Sequence, residues 1–155
     1  MVSVTHWTFE GEVTQGVLVI NADIQGQARE AFAALFEQHF PIRSLRPVDE
    51  FGSDDNVSMA ADNTSAFNCR YAVADGDPFW SNHAYGRAID INPVENPYVF
   101  HGEALPPAGA AFMDRTEGPG MLVEGGDALQ AFLDAGFTWG GVWSNPDYQH
   151  VEIVP

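Results

Sequence analysis

The chain has 155 residues, of which 45% are hydrophobic and 12% aromatic, enough apolar surface for one folded domain and too much for a disordered chain. Its six basic residues, all arginine, stand against 22 acidic ones, giving a formal net charge of −16. This balance argues against nucleic acid and anionic lipid as partners, because both are bound through basic side chains. No apolar run approaches the roughly 20 residues of a membrane-spanning helix, so we predict no membrane insertion. Residues 1–7 do not resemble a signal peptide, which leaves the cellular location open.

The first half of the chain predicts one long helix. The apolar run at residues 16–20 is typical of a strand. In residues 25–39, apolar side chains recur with the spacing of one helix face, and Pro41 follows as a stop signal. We predict an edge strand at residues 46–51 and a polar loop at residues 52–63.

The second half predicts short strands around a long connection. The predicted strands are residues 66–73, 88–92, 138–139 and 150–154, with a turn at residues 75–78. Residues 92–120 are rich in proline and predict a long, ordered surface excursion. Asp127 is a candidate N-cap for a short helix that runs through Ala135, with Gly136 as the stop signal after it. Together these elements predict a single α+β domain.

Two histidines and a carboxylate, far apart in the sequence, form a candidate metal site. His83 and Asp90 are seven residues apart, too far for neighbouring positions on one helix face, so we place them on a turn and a following strand. In that strand Ile89 and Ile91 point to one face and Asp90 to the other. With His150 they supply three ligands of the kind that holds a catalytic Zn²⁺ and leaves one position for water.

A second carboxylate, Asp147, lies three residues before His150, where it could act on such a water. The simpler alternative is that His83 ends a loop, Asp90 makes local hydrogen bonds and His150 is a partly buried histidine with ordinary partners. Against this alternative, an unpaired carboxylate inside an apolar strand is costly, and a bound metal would remove that cost. Spacing alone leaves both interpretations open.

A resemblance to a known family rests on two motifs in this order: Ser81-x-His83-x-x-Gly86-x-Ala88-x-Asp90 and Asp147-x-x-His150. They resemble the M15 family of zinc peptidases, which includes D-alanyl-D-alanine carboxypeptidases and L-alanyl-D-glutamate endopeptidases that cut peptidoglycan stem peptides. Segments at 63–70, 90–98 and 139–143 are also similar to small members of that family. The resemblance implies a Hedgehog/DD-peptidase-like fold, with a small, mostly antiparallel sheet and flanking helices, and one domain over residues 1–155.

The resemblance also implies roles for individual residues. His83, Asp90 and His150 would bind one zinc ion per chain. Asp147 would stand where the family has its general base. Arg70 would match an arginine that polarises the scissile carbonyl and stabilises the tetrahedral intermediate.

Three residues are candidates for substrate binding. Ser81 would match a serine that lines the pocket and bonds the substrate backbone or its terminal carboxylate. Trp143 and Tyr85 are aromatic residues close to the motifs and could form walls of a cleft, with core packing as the alternative for Tyr85. Glu152 shares a strand face with His150, so it is either an alternative base or a partner that orients the histidine ring.

The hypothesis from the sequence is a zinc metallopeptidase that hydrolyses peptidoglycan stem peptides, as a carboxypeptidase or an endopeptidase, through a zinc-activated water. We expect a monomer. The main alternative is a non-catalytic zinc- or peptide-binding module of the same fold. A structural zinc site is disfavoured because such sites fill all four positions, mostly with cysteine, and Cys69 lies outside the motifs.

Overall fold

A computed structural model describes residues 1–154 of the chain. These residues form short strands and three α-helices. The strands are β1 (Val2–Trp7), β2 (Val13–Leu18), β3 (Ser44–Leu45), β4 (Asn63–Thr64), β5 (Ala88–Asp90), β6 (Tyr98–Phe100), β7 (Glu103–Leu105), β8 (Thr138–Trp139) and β9 (His150–Glu152). The helices are α1 (Gln25–Glu37), α2 (Asp55–Ala60) and α3 (Asp127–Asp134). This mixture of helices and small, mainly antiparallel sheets confirms the predicted α+β class. Among the described residues, no helix combines the length and the apolar character that crossing a membrane requires.

The N-terminal part is a hairpin of β1 and β2 covered by α1. In β1 the side chains alternate, with Val2 and Val4 buried and the residues between them exposed. Helix α1 buries the apolar face that the sequence predicts and packs against β1 and α3. It ends slightly before the predicted end at residue 39, because His39 adopts a positive φ of 55°.

The sheet that matters for the site has three antiparallel strands, in the order β5, β9, β8. Its central strand, β9, pairs with β5 so that Asp90 lies opposite His150 and Ile89 opposite Val151. Ile89 and Val151 are fully buried in the main core, which also contains Phe132 of α3. The core therefore anchors one face of this sheet, and the polar side chains of the pair Asp90–His150 project on the other face.

Three predictions between residues 46 and 73 are wrong. The predicted strand at 46–51 is mostly a 3₁₀ helix (Val48–Phe51), and the predicted loop at 52–63 contains α2. The Asp54 carboxylate caps the start of helix α2, because it accepts hydrogen bonds from the backbone N–H groups of Asn56 and Val57. The predicted strand at 66–73 has no continuous ladder in the described structure, since its backbone bonds change partner from one residue to the next.

The remaining predictions are closer to the structure. Strand β5 and the last two strands lie where they are predicted, and α3 has the predicted length. Asp127, however, is the first residue of α3, and Gly126 is its N-cap. The excursion at 92–120 is ordered, as predicted, and contains the hairpin of β6 and β7.

Asn96 fixes this excursion to the body of the protein. Its side-chain oxygen accepts hydrogen bonds from Leu122 N at 2.7 Å and Arg115 Nη2 at 3.0 Å. Its side-chain nitrogen donates to the carbonyl oxygens of Ile91 at 3.0 Å and Gly120 at 2.9 Å. Both ends of the excursion are thus tied to one fully buried amide.

Candidate metal and active site

His83 is held by a short, capped 3₁₀ helix, Asn82–Tyr85. The hydroxyl of Ser81 accepts a hydrogen bond from His83 N at 3.3 Å and so caps the start of this helix. Gly86 ends it at a φ of 63°, where a Cβ atom would lie 2.9 Å from the backbone nitrogen of Asn21. A glycine is needed here both for the backbone angle and for the close approach.

Asp90 and His150 are direct cross-strand neighbours on β5 and β9. The backbone of Asp90 is fixed on its other side by two hydrogen bonds with Ser65, of 2.8 and 3.1 Å. Pairing on both sides fixes the backbone from which the carboxylate projects. The sheet therefore positions two of the three candidate ligands before any ligand binds.

The side chains of His83, Asp90 and His150 converge on one point. His83 Nε2 lies 3.0 Å from Asp90 Oδ2 and 3.1 Å from His150 Nδ1. His150 Nδ1 lies 3.3 Å from Asp90 Oδ1. All three residues are buried, and their potential ligand atoms lie within 4.8 Å of one another.

The outer nitrogens of the two rings show how the inner ones are used. His83 Nδ1 is 2.6 Å from the carbonyl oxygen of Ala66, which can only accept, so Nδ1 donates and the neutral ring keeps its lone pair on Nε2. His150 Nε2 is 2.9 Å from Glu152 Oε2, which places the lone pair of its neutral ring on Nδ1. Two lone pairs then face each other beside a carboxylate. These groups repel one another, and a cation between them would remove the repulsion. The donor set of two imidazoles and one carboxylate fits zinc.

The surroundings of His150 favour positive charge at this point. Burial by itself lowers the pKa of His150. Hydrogen bonds with Asp90 and Glu152 have the opposite and larger effect, so the pKa is raised to about 10. The pKa of Asp90 is correspondingly lowered, since both histidines outweigh the effect of its burial. Glu152 also has a lowered pKa: its burial acts upward, but hydrogen bonds from His150 and Asn82 prevail. Asn82 Nδ2 donates to Glu152 Oε2 at 2.7 Å, which fixes the carboxylate behind the ring.

Asp147 stands in the wall of a cavity of about 510 Å³ that opens onto Asp90 and His150. Among the described residues, its Oδ1 atom is buried and has no hydrogen-bond partner. Burial raises the pKa of Asp147 to about 7; His150 and Arg70 act downward, and Asp90 and Asp55 act upward. A carboxyl group with a pKa near neutrality can both accept and return a proton.

Arg70 lines the same cavity but is held by acidic neighbours. Its Nε lies 2.9 Å from Asp55 Oδ2, without hydrogen-bond geometry, and its Nη2 lies 3.7 Å from Asp90 Oδ2. Asp55 also accepts a hydrogen bond from Asn68 Nδ2 at 2.9 Å. The guanidinium is thereby directed towards the three converging side chains.

The candidate substrate-binding residues differ in their placement. Trp143 lines the cavity, with its ring centroid 5.2 Å from that of His150 and 44% of its surface exposed. Ser81 also lines the cavity, but it is buried and its hydroxyl caps the turn that carries His83. Tyr85 lies outside the cavity and is 56% exposed, because the 3₁₀ helix turns His83 inward and Tyr85 outward. Tyr85 is therefore packed neither in the cleft nor in the core.

Sequence reasoning missed Asp55 and Asn82 as members of this site. Asp55 escapes notice because the segment that carries it has the composition of a loop, although Asp54 followed by Asp55 is a helix-start signal. Asn82 lies between two motif residues and contacts Glu152, which is 70 residues away. No local sequence pattern predicts such a contact.

Comparisons with known proteins agree with the resemblance of the motifs. A family model described as D-alanyl-D-alanine carboxypeptidase, of the M15 peptidases, matches residues 74–153, just over half of the chain. The matched part contains the three converging residues and Asp147, whereas Arg70 lies before it. No curated protein and no solved structure matches the chain, so the Hedgehog/DD-peptidase-like fold stays a prediction. On its sequence, the chain belongs to the M15 family of peptidases.

Proposed function

We propose that this protein is a zinc-dependent peptidase with one Zn²⁺ per chain, held by His83, Asp90 and His150. The convergence of two imidazole lone pairs and a buried carboxylate at the floor of an open cavity carries this proposal. Zinc bound there would lower the pKa of a water molecule to about 7 and polarise a peptide carbonyl. Three protein ligands are the number that catalytic sites use, whereas structural sites fill all four positions.

Asp147 is the proposed general base and acid. It would accept the proton of the attacking water at its free carboxylate oxygen and later deliver a proton to the leaving amine. The buried, unpartnered Oδ1 atom and the raised pKa support this role. Glu152, the alternative base, is already engaged by both His150 and Asn82, which favours Asp147.

Arg70 is proposed to oppose the negative charge that develops on the carbonyl oxygen. Its Nη2 group faces Asp90, on the side where the three converging residues meet. Charge stabilisation of this kind is typically worth several kcal/mol of activation free energy. Trp143 would form a wall for the substrate, and Ser81 would contribute by holding His83 in place.

The proposed substrates are the stem peptides of peptidoglycan, on the basis of family membership. The proposal covers a single peptidase domain over residues 1–155, acting as a monomer on peptide and not on nucleic acid. The formal charge of −16 supports the last point.

Mass spectrometry of peptidoglycan fragments after incubation with the zinc-loaded protein tests the proposal. We expect a stem peptide to be cleaved; a chelator should abolish this cleavage and added zinc should restore it.

Asp147→Asn should retain stoichiometric zinc by elemental analysis and lose most of the turnover. Asp134→Asn, the same change on an exposed part of α3, should leave both unaffected. Stoichiometric zinc without cleavage of any fragment would instead identify a non-catalytic zinc-binding module.

A further inference from the structure

The cavity has a strong excess of negative charge. Four of its lining residues are carboxylates and one is an arginine: Asp55, Asp90, Asp147, Glu152 and Arg70. The nearby segment 71–80, which supplies part of the wall, adds Asp75 and Asp77 and contains no arginine or lysine. Even a divalent cation at the three converging residues would leave the formal charge of these lining residues negative.

The one arginine of the described lining is already compensated. Arg70 lies 2.9 Å from a carboxylate oxygen of Asp55 and 3.7 Å from one of Asp90. Its side chain is only 22% exposed, so it can act on a carbonyl oxygen beside the three converging residues but cannot reach farther along the cleft without breaking these contacts. The chain has no lysine, and Arg87 and Arg43 are paired with carboxylates elsewhere. Away from the proposed zinc ion, a free carboxylate that entered the cleft would therefore meet repulsion and no unpaired cationic side chain among the lining residues.

The rest of the lining suits an aliphatic chain with a positive end. Val73, Leu105 and Met59 offer aliphatic surface, while Trp80, Trp143 and Tyr98 offer aromatic rings. Methylene groups pack on such surfaces while an ammonium group stays near carboxylates or over an aromatic face. A bare metal ion or a small polar group would not use these walls.

We propose, on the basis of the function proposed above, that the cleft selects substrates by positive charge. It takes a peptide that presents a primary ammonium group on an aliphatic chain near the scissile bond, and it disfavours one whose scissile residue ends in a free carboxylate. This selection makes the protein an endopeptidase in preference to a carboxypeptidase. The electrostatic preference acts through the whole cleft wall and not through one specific ion pair.

Four versions of one synthetic stem-type pentapeptide with a lysine at its third position test this selection. The lysine amine is either free or acetylated, and the C-terminus is either an acid or an amide. Cleavage by the zinc-loaded protein gives kcat/KM, and titration calorimetry gives Kd. We expect acetylation of the amine to lower kcat/KM and weaken binding by about tenfold, which corresponds to about 1.4 kcal/mol of interaction free energy summed over the cleft wall. Amidation of the C-terminus should not reduce either quantity, and 0.5 M NaCl should shrink the contrast.

A pair of variants separates local charge from total charge. Asp55→Asn removes one cleft carboxylate and frees Arg70, so the preference for the free amine should fall several-fold. Glu124→Gln changes the net charge equally at an exposed position and should leave the preference unchanged. The ratio between peptides is the readout, so a general loss of activity in Asp55→Asn does not affect the conclusion.

Two results would overturn the charge selection: equal binding and cleavage of the free and acetylated peptides, or a clear preference for the free acid over the amide. The second result would leave the peptidase proposal intact. If none of the four peptides is cleaved with zinc bound, the peptidase proposal fails. The difference in Kd between the free and the acetylated peptides then tests the charge selection by itself. Absence of binding by all four peptides would overturn it.

Discussion

At the scale of single residues, Glu152 illustrates how the chain orients a histidine of the proposed metal site. One of its oxygens contacts both His150 Nε2 and Asn82 Nδ2, at 2.9 and 2.7 Å. The first contact selects the tautomer of His150, and the second prevents the carboxylate from turning away. Such carboxylate–histidine pairs raise the basicity of the nitrogen that faces the metal.

We predict that Glu152→Ala weakens zinc binding by about 10- to 100-fold, because the ring of His150 loses its orienting acceptor. Glu152→Gln keeps an acceptor oxygen and loses the charge, so its zinc affinity should fall between those of Glu152→Ala and the wild type. Competition with a chromogenic chelator measures the affinity directly. Glu103→Gln, at the exposed first residue of β7, is the control and should match the wild type. An unchanged zinc affinity in Glu152→Ala would show that Glu152 does not contribute to metal binding.

The residue scale is also where sequence prediction succeeds best. The convergence of His83, Asp90 and His150 is as the motifs predict, because motif residues carry their chemistry in their identity. The direction of the Tyr85 side chain cannot be predicted from its residue type. It depends on the pitch of a four-residue 3₁₀ helix, which no periodicity in the sequence reveals.

At the scale of elements, a few buried polar groups anchor the long excursion to the rest of the protein. Asn96 is fully buried and joins both ends of the excursion through five side-chain hydrogen bonds. Arg115 adds bonds to the carbonyl oxygens of Glu95 at 2.8 Å and Leu122 at 2.7 Å. The segment is anchored by hydrogen bonds that its proline-rich composition does not predict.

We predict that Asn96→Ala lowers the free energy of unfolding by about 2–4 kcal/mol, because it removes several buried hydrogen bonds at once and leaves the buried Leu122 N–H without its acceptor. Denaturant unfolding followed by fluorescence measures the change. Asn145→Ala, which removes one weaker bond to His101 N at 3.3 Å, should cost less than about 1 kcal/mol. Similar losses in the two variants would contradict the anchoring role of Asn96.

A second element-scale prediction concerns Glu95, which lies buried beside Asp62, just before β4. Burial and the neighbouring carboxyl of Asp62 raise the pKa of Glu95 from 4.5 to about 8. The native state therefore holds a proton that the unfolded chain releases above about pH 4.5. As the pH rises from about 4.5 to about 8, stability must fall, by at most about 1.4 kcal/mol per pH unit from this group.

Glu95→Gln removes this titration, so the variant should gain stability relative to the wild type as the pH rises from 5 to 8. Unfolding midpoints of both proteins across this range measure the difference, which cancels the other titrating groups. Glu124→Gln, on the surface, should give a difference that does not vary with pH. A flat difference for Glu95→Gln as well would show that Glu95 is ionised in the native protein throughout this range.

The element scale is where sequence prediction fails most. Strand β1 is missing from the predicted elements, although Val2, Val4 and His6 alternate with polar residues as a half-buried strand requires. The predictions for α2 and for the irregular segment 66–73 are wrong, because each is determined by partners distant in sequence: Phe67 N bonds Val19 O, and Asn68 N bonds His83 O. Long, periodic α1 is predicted correctly, since its pattern is local.

At the scale of the whole molecule, charge is the dominant feature. With 22 acidic and six basic residues, the folded chain concentrates negative charge that the unfolded chain spreads out. Only a few of these carboxylates are paired with arginines in the described structure. Repulsion among the others opposes folding and weakens as salt shortens the range of the interaction.

We predict that the Tm rises by several degrees as KCl increases from 10 mM to 300 mM and then levels off. The screening length falls from about 30 Å to below about 10 Å over this range, so most of the repulsion is removed there. Calorimetry at constant pH, with a chelator present, isolates the effect from zinc binding. A Tm that does not change, or that rises only above 1 M, would show that self-repulsion is not what limits stability.

The pairing of Asp90 with His150 also bears on the lifetime of the folded state. The two residues are 60 positions apart, and His83 is 67 positions from His150. An ion that bridges all three would close a long loop, as a disulfide does, and would penalise the open chain more than the native one. Loss of the ion would then loosen the central strand of the sheet first, with its three residues exposed to proteases before the rest of the core unfolds. The ion that activates the attacking water would also determine how long the folded chain survives.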